Sequence, residues 1–204
     1  MKQKIGIIDI EMGNLYSIEK SLKYFDENFI ITSNVNLLRK CYKFILPGVG
    51  AFDKAMKVIK KKKLDELIYK QIKEGKFILG ICLGMQILGK KSFEFGENSG
   101  LGLNDLVYRP FKKNINKIDF HIGFNEVEYF QNSKLFKDIN QNSDFYFLHA
   151  FHAKPLNKSL DYCFSNYKGK FVSAYEKKNI CGVQFHPEKS QINGLKLLKN
   201  FLKL

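Results

Sequence analysis

The chain has 204 residues, a formal net charge of +14, 45% apolar residues and 19 phenylalanines. That length suits one sizeable α/β core, and the apolar content excludes an unfolded chain. Nucleic-acid binding is not expected from the charge, because Arg39 and Arg109 are the only arginines and the lysines are spread along the whole chain.

The first predicted strand is Ile5–Ile10, followed by a helix from about Leu15 to Phe25 with Leu15, Ile18, Leu22 and Phe25 at helical spacing. Phe29–Ile31 and Phe44–Leu46 are the second and third strands, the latter running into Pro47-Gly48-Val49-Gly50. Helical material is expected through about Lys76, with Leu64, Leu67, Ile68 and Ile72 as its apolar stripe and Lys60–Lys63 on a solvated face. A fourth strand, Phe77-Ile78-Leu79, leads into another helix. This alternation predicts a doubly wound, mostly parallel sheet with helices on both faces.

Past Gly100 the pieces shorten to Leu106–Arg109, Glu126–Tyr129, Phe145–His149, Phe171–Tyr175 and Ile180–Phe185, separated by turns rich in Asn, Lys and Gly. They predict an antiparallel section, closed by an amphipathic helix from about Ile192 to Leu204. No linker or repeat divides the chain, so residues 1–204 are expected to form one domain. No apolar stretch approaches the roughly 20 residues of a membrane helix, and the N-terminus lacks the pattern of a signal peptide. Cys41, Cys82, Cys163 and Cys181 show no zinc-like spacing. A reducing cytoplasmic setting is therefore expected, with no metal and no cofactor.

The fourth strand ends in Gly80-Ile81-Cys82-Leu83-Gly84, the cysteine version of a G-x-S-x-G nucleophile elbow. Such a turn swings abruptly from strand to helix and needs small flanking residues. Taken alone, the stretch also fits a buried structural cysteine beside a tight turn. Among His121, His149, His152 and His186, the last stands out in Gly182-Val183-Gln184-Phe185-His186-Pro187-Glu188. A strand delivers His186 to its end, Pro187 is expected to keep the chain extended, and Glu188 then points to the same side. Alone, H-P-E fits a surface turn with an ordinary ion pair. Beside the elbow it completes a set of nucleophile, base and orienting carboxylate: Cys82, His186 and Glu188.

The motifs PGVGAF, GICLGMQ and GVQFHPEKS, in that order, resemble the triad glutamine amidotransferases, and more narrowly the glutaminase subunit of imidazole glycerol phosphate synthase. The resemblance runs from Met12-Gly13-Asn14 to the last helix. It implies that Cys82 attacks the side-chain amide of glutamine, with an oxyanion hole from Leu83 and the Val49–Gly50 segment. It implies that Gln86, Glu94 and the backbone at Ala150-Phe151 hold the amino-acid end of the substrate, although Glu94 taken alone fits a surface carboxylate. It also implies a separate (β/α)8 barrel partner that receives ammonia, met by Asn14, Phe124, Tyr146 and Lys189. By residue type alone, Phe124 and Tyr146 fit core aromatics and Lys189 a surface charge.

Three motifs depart from the family's pattern. Phe124 replaces the usual tryptophan in His121-Ile122-Gly123-Phe124-Asn125, the usual H-S/T-Y is His149-Ala150-Phe151, and the first loop reads Ile10-Glu11-Met12-Gly13-Asn14. Similar glutaminases serve surface-sugar amidation, which is a second reading for the acceptor. A non-catalytic binding module that kept the fold is a third.

Overall fold

The N-terminal apolar runs are strands because each feeds side chains alternately into two separate cores. In the computed structural model, which describes residues 4–13, 15–114, 117–154 and 161–204, β1 (Ile5–Ile8), α1 (Leu15–Tyr24), β2 (Phe29–Thr32), α2 (Val35–Leu38) and β3 (Lys43–Gly48) come first. Helices α3 (Phe52–Lys61) and α4 (Leu64–Lys73) precede β4 (Phe77–Cys82) and α5 (Leu83–Leu88). Short strands β5 (Lys91–Ser92) and β6 (Asn98–Ser99) lead to β7 (Val107–Asn114), β8 (Lys117–Asp119), β9 (His121–Val127) and β10 (Ser143–His149). The chain continues through β11 (Phe151–Ala153), β12 (Tyr162–Asn166), β13 (Lys170–Lys177), β14 (Ile180–Val183) and α6 (Gln191–Lys203).

A seven-stranded sheet runs in the order β12-β13-β14-β4-β3-β1-β2. Strands β14, β4, β3, β1 and β2 are mutually parallel, and β13 and β12 add an antiparallel edge. Ile5, Ile7, Ile45, Leu79 and Ile81 face one core with Ile18 and Leu22 of α1 and Leu197, Leu198 and Phe201 of α6. Ile8, Phe44, Leu46 and Ile78 face the other, under Phe52, Ala55, Ile59, Leu64 and Leu67 of α3 and α4. The period of two puts both faces under helices, as a parallel sheet requires. Each fully buried Ile, Leu or Phe contributes roughly 1.5–3 kcal/mol of transfer free energy. Lys43 is also buried, and its ammonium donates to the Phe201 and Leu202 carbonyls at 3.0 and 2.7 Å, tying the end of α6 to β3.

Four expectations need correction. The helical stretch after Gly50 is two helices, broken where Lys63 takes a left-handed conformation (φ 56°). The lysine run lies at this joint, where Lys62 pairs with Glu11 at 2.5 Å. The strand expected at Glu126–Tyr129 is β9, which begins at His121, and β11 and β12 were not foreseen. Pro47 and Gly48 belong to β3 itself; the ladder with β1 ends at Ile45, leaving one edge of the strand open at the proline. His186 before Pro187 is extended, as expected, but the chain does not stay extended to Glu188, because Pro187–Lys189 forms a single 3-10 turn. Among the described residues, no helix is long and apolar enough to cross a membrane.

Candidate active site

Cys82 closes β4 and caps α5 with φ 52° and ψ −108°, a conformation strained for a residue with a side chain. The flanking glycines are dictated by close backbone approach. A Cβ on Gly84 would lie 1.7 Å from the Leu46 carbonyl oxygen of β3, and one on Gly80 would lie 2.7 Å from the Met85 nitrogen. Helix α5 thus lies directly on strand backbone, with the Cys82 thiol at its N-terminal end.

His186 follows β14, the parallel neighbour of β4, so strand order brings it beside Cys82. Its Nδ1 is 2.8 Å from Glu188 Oε1, and both side chains are almost wholly buried, at 2% and 4% exposure. The 3-10 turn, rather than an extended chain, folds the carboxylate back onto the ring. Nε2 is buried without a completed hydrogen bond and has the Cys82 thiol as its electrostatic neighbour. Burial pushes the imidazole pKa down, but the negative charge available on Cys82 and Glu188 outweighs it and raises the value to about 10. A ring that holds its proton beside the thiol is placed to hand that proton to a departing group. Ser190 holds the turn in register: its hydroxyl donates to the His186 carbonyl at 2.6 Å and accepts from the Tyr146 N–H at 2.9 Å.

Cys82 opens onto a cleft of about 410 Å³ lined by Val49, Gly50, Leu83, Gln86, Glu94, Ala150 and Phe151, among others. All the residues expected to hold substrate or oxyanion therefore meet in one place. Leu83 opens α5, so its N–H has no partner within the helix. The Val49 N–H is directed to the Met12 carbonyl at 3.4 Å, and Gly50 follows with φ 106°. In this state, then, the second expected oxyanion donor is engaged elsewhere.

Gln86 is buried and donates to Gln184 Oε1 at 3.1 Å and to the Phe151 carbonyl at 3.4 Å. The Gln184 amide in turn lies 3.6 Å from Cys82 Sγ. Glu94 accepts from the Phe52 N–H at 2.8 Å, capping α3, whose own N-cap Ala51 supplies no side-chain bond. Burial raises the Glu94 pKa, against the lowering effect of that hydrogen bond. Sequence reasoning passed over Gln184, Ser190 and Phe52, because an amide, a hydroxyl and a backbone N–H carry no reactive signature.

Of the four expected partner-facing residues, three meet on one face. Phe124 and Tyr146 are cross-strand neighbours on β9 and β10 with ring centroids 5.5 Å apart, and the Lys189 ammonium lies 5.8 Å over the Tyr146 ring. Phe124 is 50% exposed and is not a core aromatic. Asn14 lies outside the described residues.

A cysteine on a strand-to-helix corner, beside a buried histidine–carboxylate pair carried by the next parallel strand, gives an α/β fold an arrangement suited to nucleophilic catalysis. Residues 7–204 match the family Glutamine amidotransferase class-I, and the chain belongs to that family. Among curated relatives, the imidazole glycerol phosphate synthase subunit HisH 1 of Methanococcus maripaludis is 43% identical, over 98% of this chain and 99% of its own. The subunit of the same name from Campylobacter jejuni is 40% identical, over 98% and 100%. In fold, PurLQS from Thermotoga maritima matches with a TM-score of 0.76 over 100% of this chain and 99% of that one, at 18% identity.

Proposed function

We propose that this chain is the glutaminase subunit of an imidazole glycerol phosphate synthase, releasing ammonia from glutamine for histidine biosynthesis. The observation that carries the reading is the buried Cys82–His186–Glu188 set opening onto a cleft whose walls hold Gln86, Glu94, Ala150 and Phe151. The full-length relatives named for that synthase favour it over surface-sugar amidation. An intact nucleophile, base and orienting carboxylate argue against a non-catalytic module.

In this reading the Cys82 thiolate adds to the side-chain carbonyl carbon of glutamine, and the oxygen takes up the negative charge. Protonated His186 gives its proton to the departing nitrogen as the C–N bond breaks, leaving a γ-glutamyl thioester and ammonia. Neutral His186 then takes a proton from water, which attacks the thioester and releases glutamate and the thiol. Glu188 holds the ring and balances its charge in both steps.

The oxyanion requires the Leu83 N–H and a second donor. Turning the peptide before Val49 away from Met12 would present the Val49 N–H to the site. Gly48 and Gly50 flank Val49 and make such a turn inexpensive. Loss of one such donor costs on the order of 100- to 1,000-fold in rate. We therefore assign the Met12-bound loop to a resting state that a partner releases.

Ammonia freed into neutral water is protonated and no longer nucleophilic, so it needs a closed path to its acceptor. The face bearing Phe124, Tyr146 and Lys189, continued by exposed Ile122 and Leu148, is proposed to receive a separate (β/α)8 synthase subunit. The test is glutamate release by the purified chain, alone and with that synthase and its ligand. The reading expects near-silence alone and strong activation in the complex. Full activity alone, unchanged by the synthase, would point to a stand-alone amidase.

A further inference from the structure

His121 and His149 face each other in register on the inner side of the β9–β10 pair, opposite the exposed Ile122, Phe124 and Leu148. The reaction steps above use neither ring. Their hydrogen bonds nevertheless fix every proton between them. His149 Nδ1 lies 2.8 Å from the Phe151 carbonyl, which can only accept, so Nδ1 carries the hydrogen. Neutral His149 then offers a lone pair at Nε2, 3.1 Å from His121 Nδ1, which is the donor. His121 Nε2 in turn accepts from Asn125 Nδ2 at 3.1 Å. The Asn125 amide cannot be reversed, because Nδ2 also donates to the Asn166 carbonyl at 3.0 Å and its oxygen accepts from the Glu126 N–H at 2.8 Å.

The result is a one-way chain: Asn125 to His121 to His149 to the Phe151 carbonyl. Both rings are 6% exposed or less, and burial lowers their pKa values to about 4 for His121 and about 3 for His149, so the chain stays neutral at physiological pH. The Phe151 carbonyl is also where Gln86 donates, at 3.4 Å. The Ala150 carbonyl beside it is held by the Phe111 N–H at 2.9 Å. Both carbonyls of this cleft wall are thus tied inward.

We propose that His121 and His149 are positioning residues for glutamine: their directional chain fixes the Phe151 carbonyl, and through it Gln86 and the Ala150–Phe151 wall that seats the amino-acid end of the substrate. This rests on the glutaminase reading above. A purely structural role for the rings, packed against Phe147, Tyr167 and Phe171, would affect stability without a selective effect on substrate affinity.

The test compares His149→Phe, which keeps a ring but loses both nitrogens, with His149→Asn, whose amide nitrogen stands in for Nδ1. His121→Phe forms a second arm. All are assayed in the complex with the synthase, with thermal midpoints recorded separately. Removing one buried hydrogen bond should raise the KM for glutamine about tenfold, with kcat within roughly twofold, and His149→Asn should recover most of that loss. His121→Phe should raise KM in the same way. Nitrogen-15 spectra of the wild-type chain should show His149 only as its Nδ1–H tautomer, a readout that needs no variant to fold. Unchanged KM in both phenylalanine variants, or an Nε2–H tautomer at His149, would overturn the proposal. Wild-type labelling of Cys82 by a glutamine-mimicking diazo ketone checks the underlying reading separately, and its absence would remove both.

Discussion

Replacing Gly84 by alanine tests the backbone contact that shapes the elbow. The added Cβ would sit 1.7 Å from the Leu46 carbonyl oxygen and 2.8 Å from its carbon, well inside any real contact. The obstacle is main chain of a central strand, bonded to β4 and continuous with the Pro47–Gly50 segment, so it cannot rotate aside as a side chain would. Relief requires α5 to lift from β3 by more than 1 Å, on the order of the Cβ–oxygen overlap. Overpacking of this kind typically costs about 1–3 kcal/mol, and backbone on both sides places this case at about 3 kcal/mol or above. For a chain of this size, each kcal/mol lowers the thermal midpoint by roughly 2–4 °C, so a fall of about 6–12 °C is expected. Because α5 carries Leu83 at its first position, glutamate release should fall further than stability does. Thermal unfolding by circular dichroism and glutamate release below the new midpoint measure the two effects. A shift under about 2 °C with normal turnover would show that the elbow is not held by this contact.

Glu188→Gln should slow glutamine hydrolysis less than His186→Asn, since the carboxylate orients and balances a ring that itself carries protons; equal rates for His186→Asn and wild type would end the mechanism. Cys41→Ala, Cys163→Ala and Cys181→Ala should each keep turnover while lowering stability, because all three thiols are buried in the core away from the cleft. Selective loss of turnover in any of them without unfolding would displace Cys82 as nucleophile. Stability should fall as pH drops from 7.5 to 5.5. His121, His149 and His152 are buried toward neutrality, with pKa values near 4, 3 and 4, so the unfolded chain binds protons near 6.5 that the folded chain refuses. Each such proton is worth about 1.4 kcal/mol per pH unit. His186, raised to about 10, runs in the opposite sense and offsets one of them, and half-buried His152 counts for less, leaving a net loss on the order of 2 kcal/mol. Urea midpoints at the two pH values measure it, and a more stable protein at 5.5 would reverse the assignment of neutral rings.

The parallel half of the fold was legible because burial on both faces leaves continuous apolar runs such as Phe44–Leu46 and Phe77–Leu79, with Gly and Pro at their ends. The candidate triad was legible because a thiol between two glycines and a His-Pro-Glu turn are rare, chemically readable patterns. Strand β9 was misread because its pattern is inverted: His121 is buried while Ile122 and Phe124 face out, at 61% and 50% exposure. Hydrophobic periodicity assumes that apolar residues turn inward, and here they form the outer face of the hairpin. The break at Lys63 escaped notice because a left-handed lysine carries no glycine or proline marker. Gln184, Ser190 and the His121–His149 chain were invisible for another reason. Their roles depend on which backbone group each meets across the fold, such as Tyr146 N–H or Phe151 C=O, and pairs so distant in sequence leave no local pattern.

The account turns on Cys82 as the group that attacks glutamine. The most direct measurement is peptide mass spectrometry after exposure to a glutamine-mimicking diazo ketone, for the wild type and for Cys82→Ser and His186→Asn. The account predicts one adduct per chain, on the peptide carrying Gly80-Ile81-Cys82-Leu83-Gly84, with none in Cys82→Ser and sharply slower labelling in His186→Asn. No adduct on wild-type Cys82, or labelling of Cys41, Cys163 or Cys181 in its place, would contradict it.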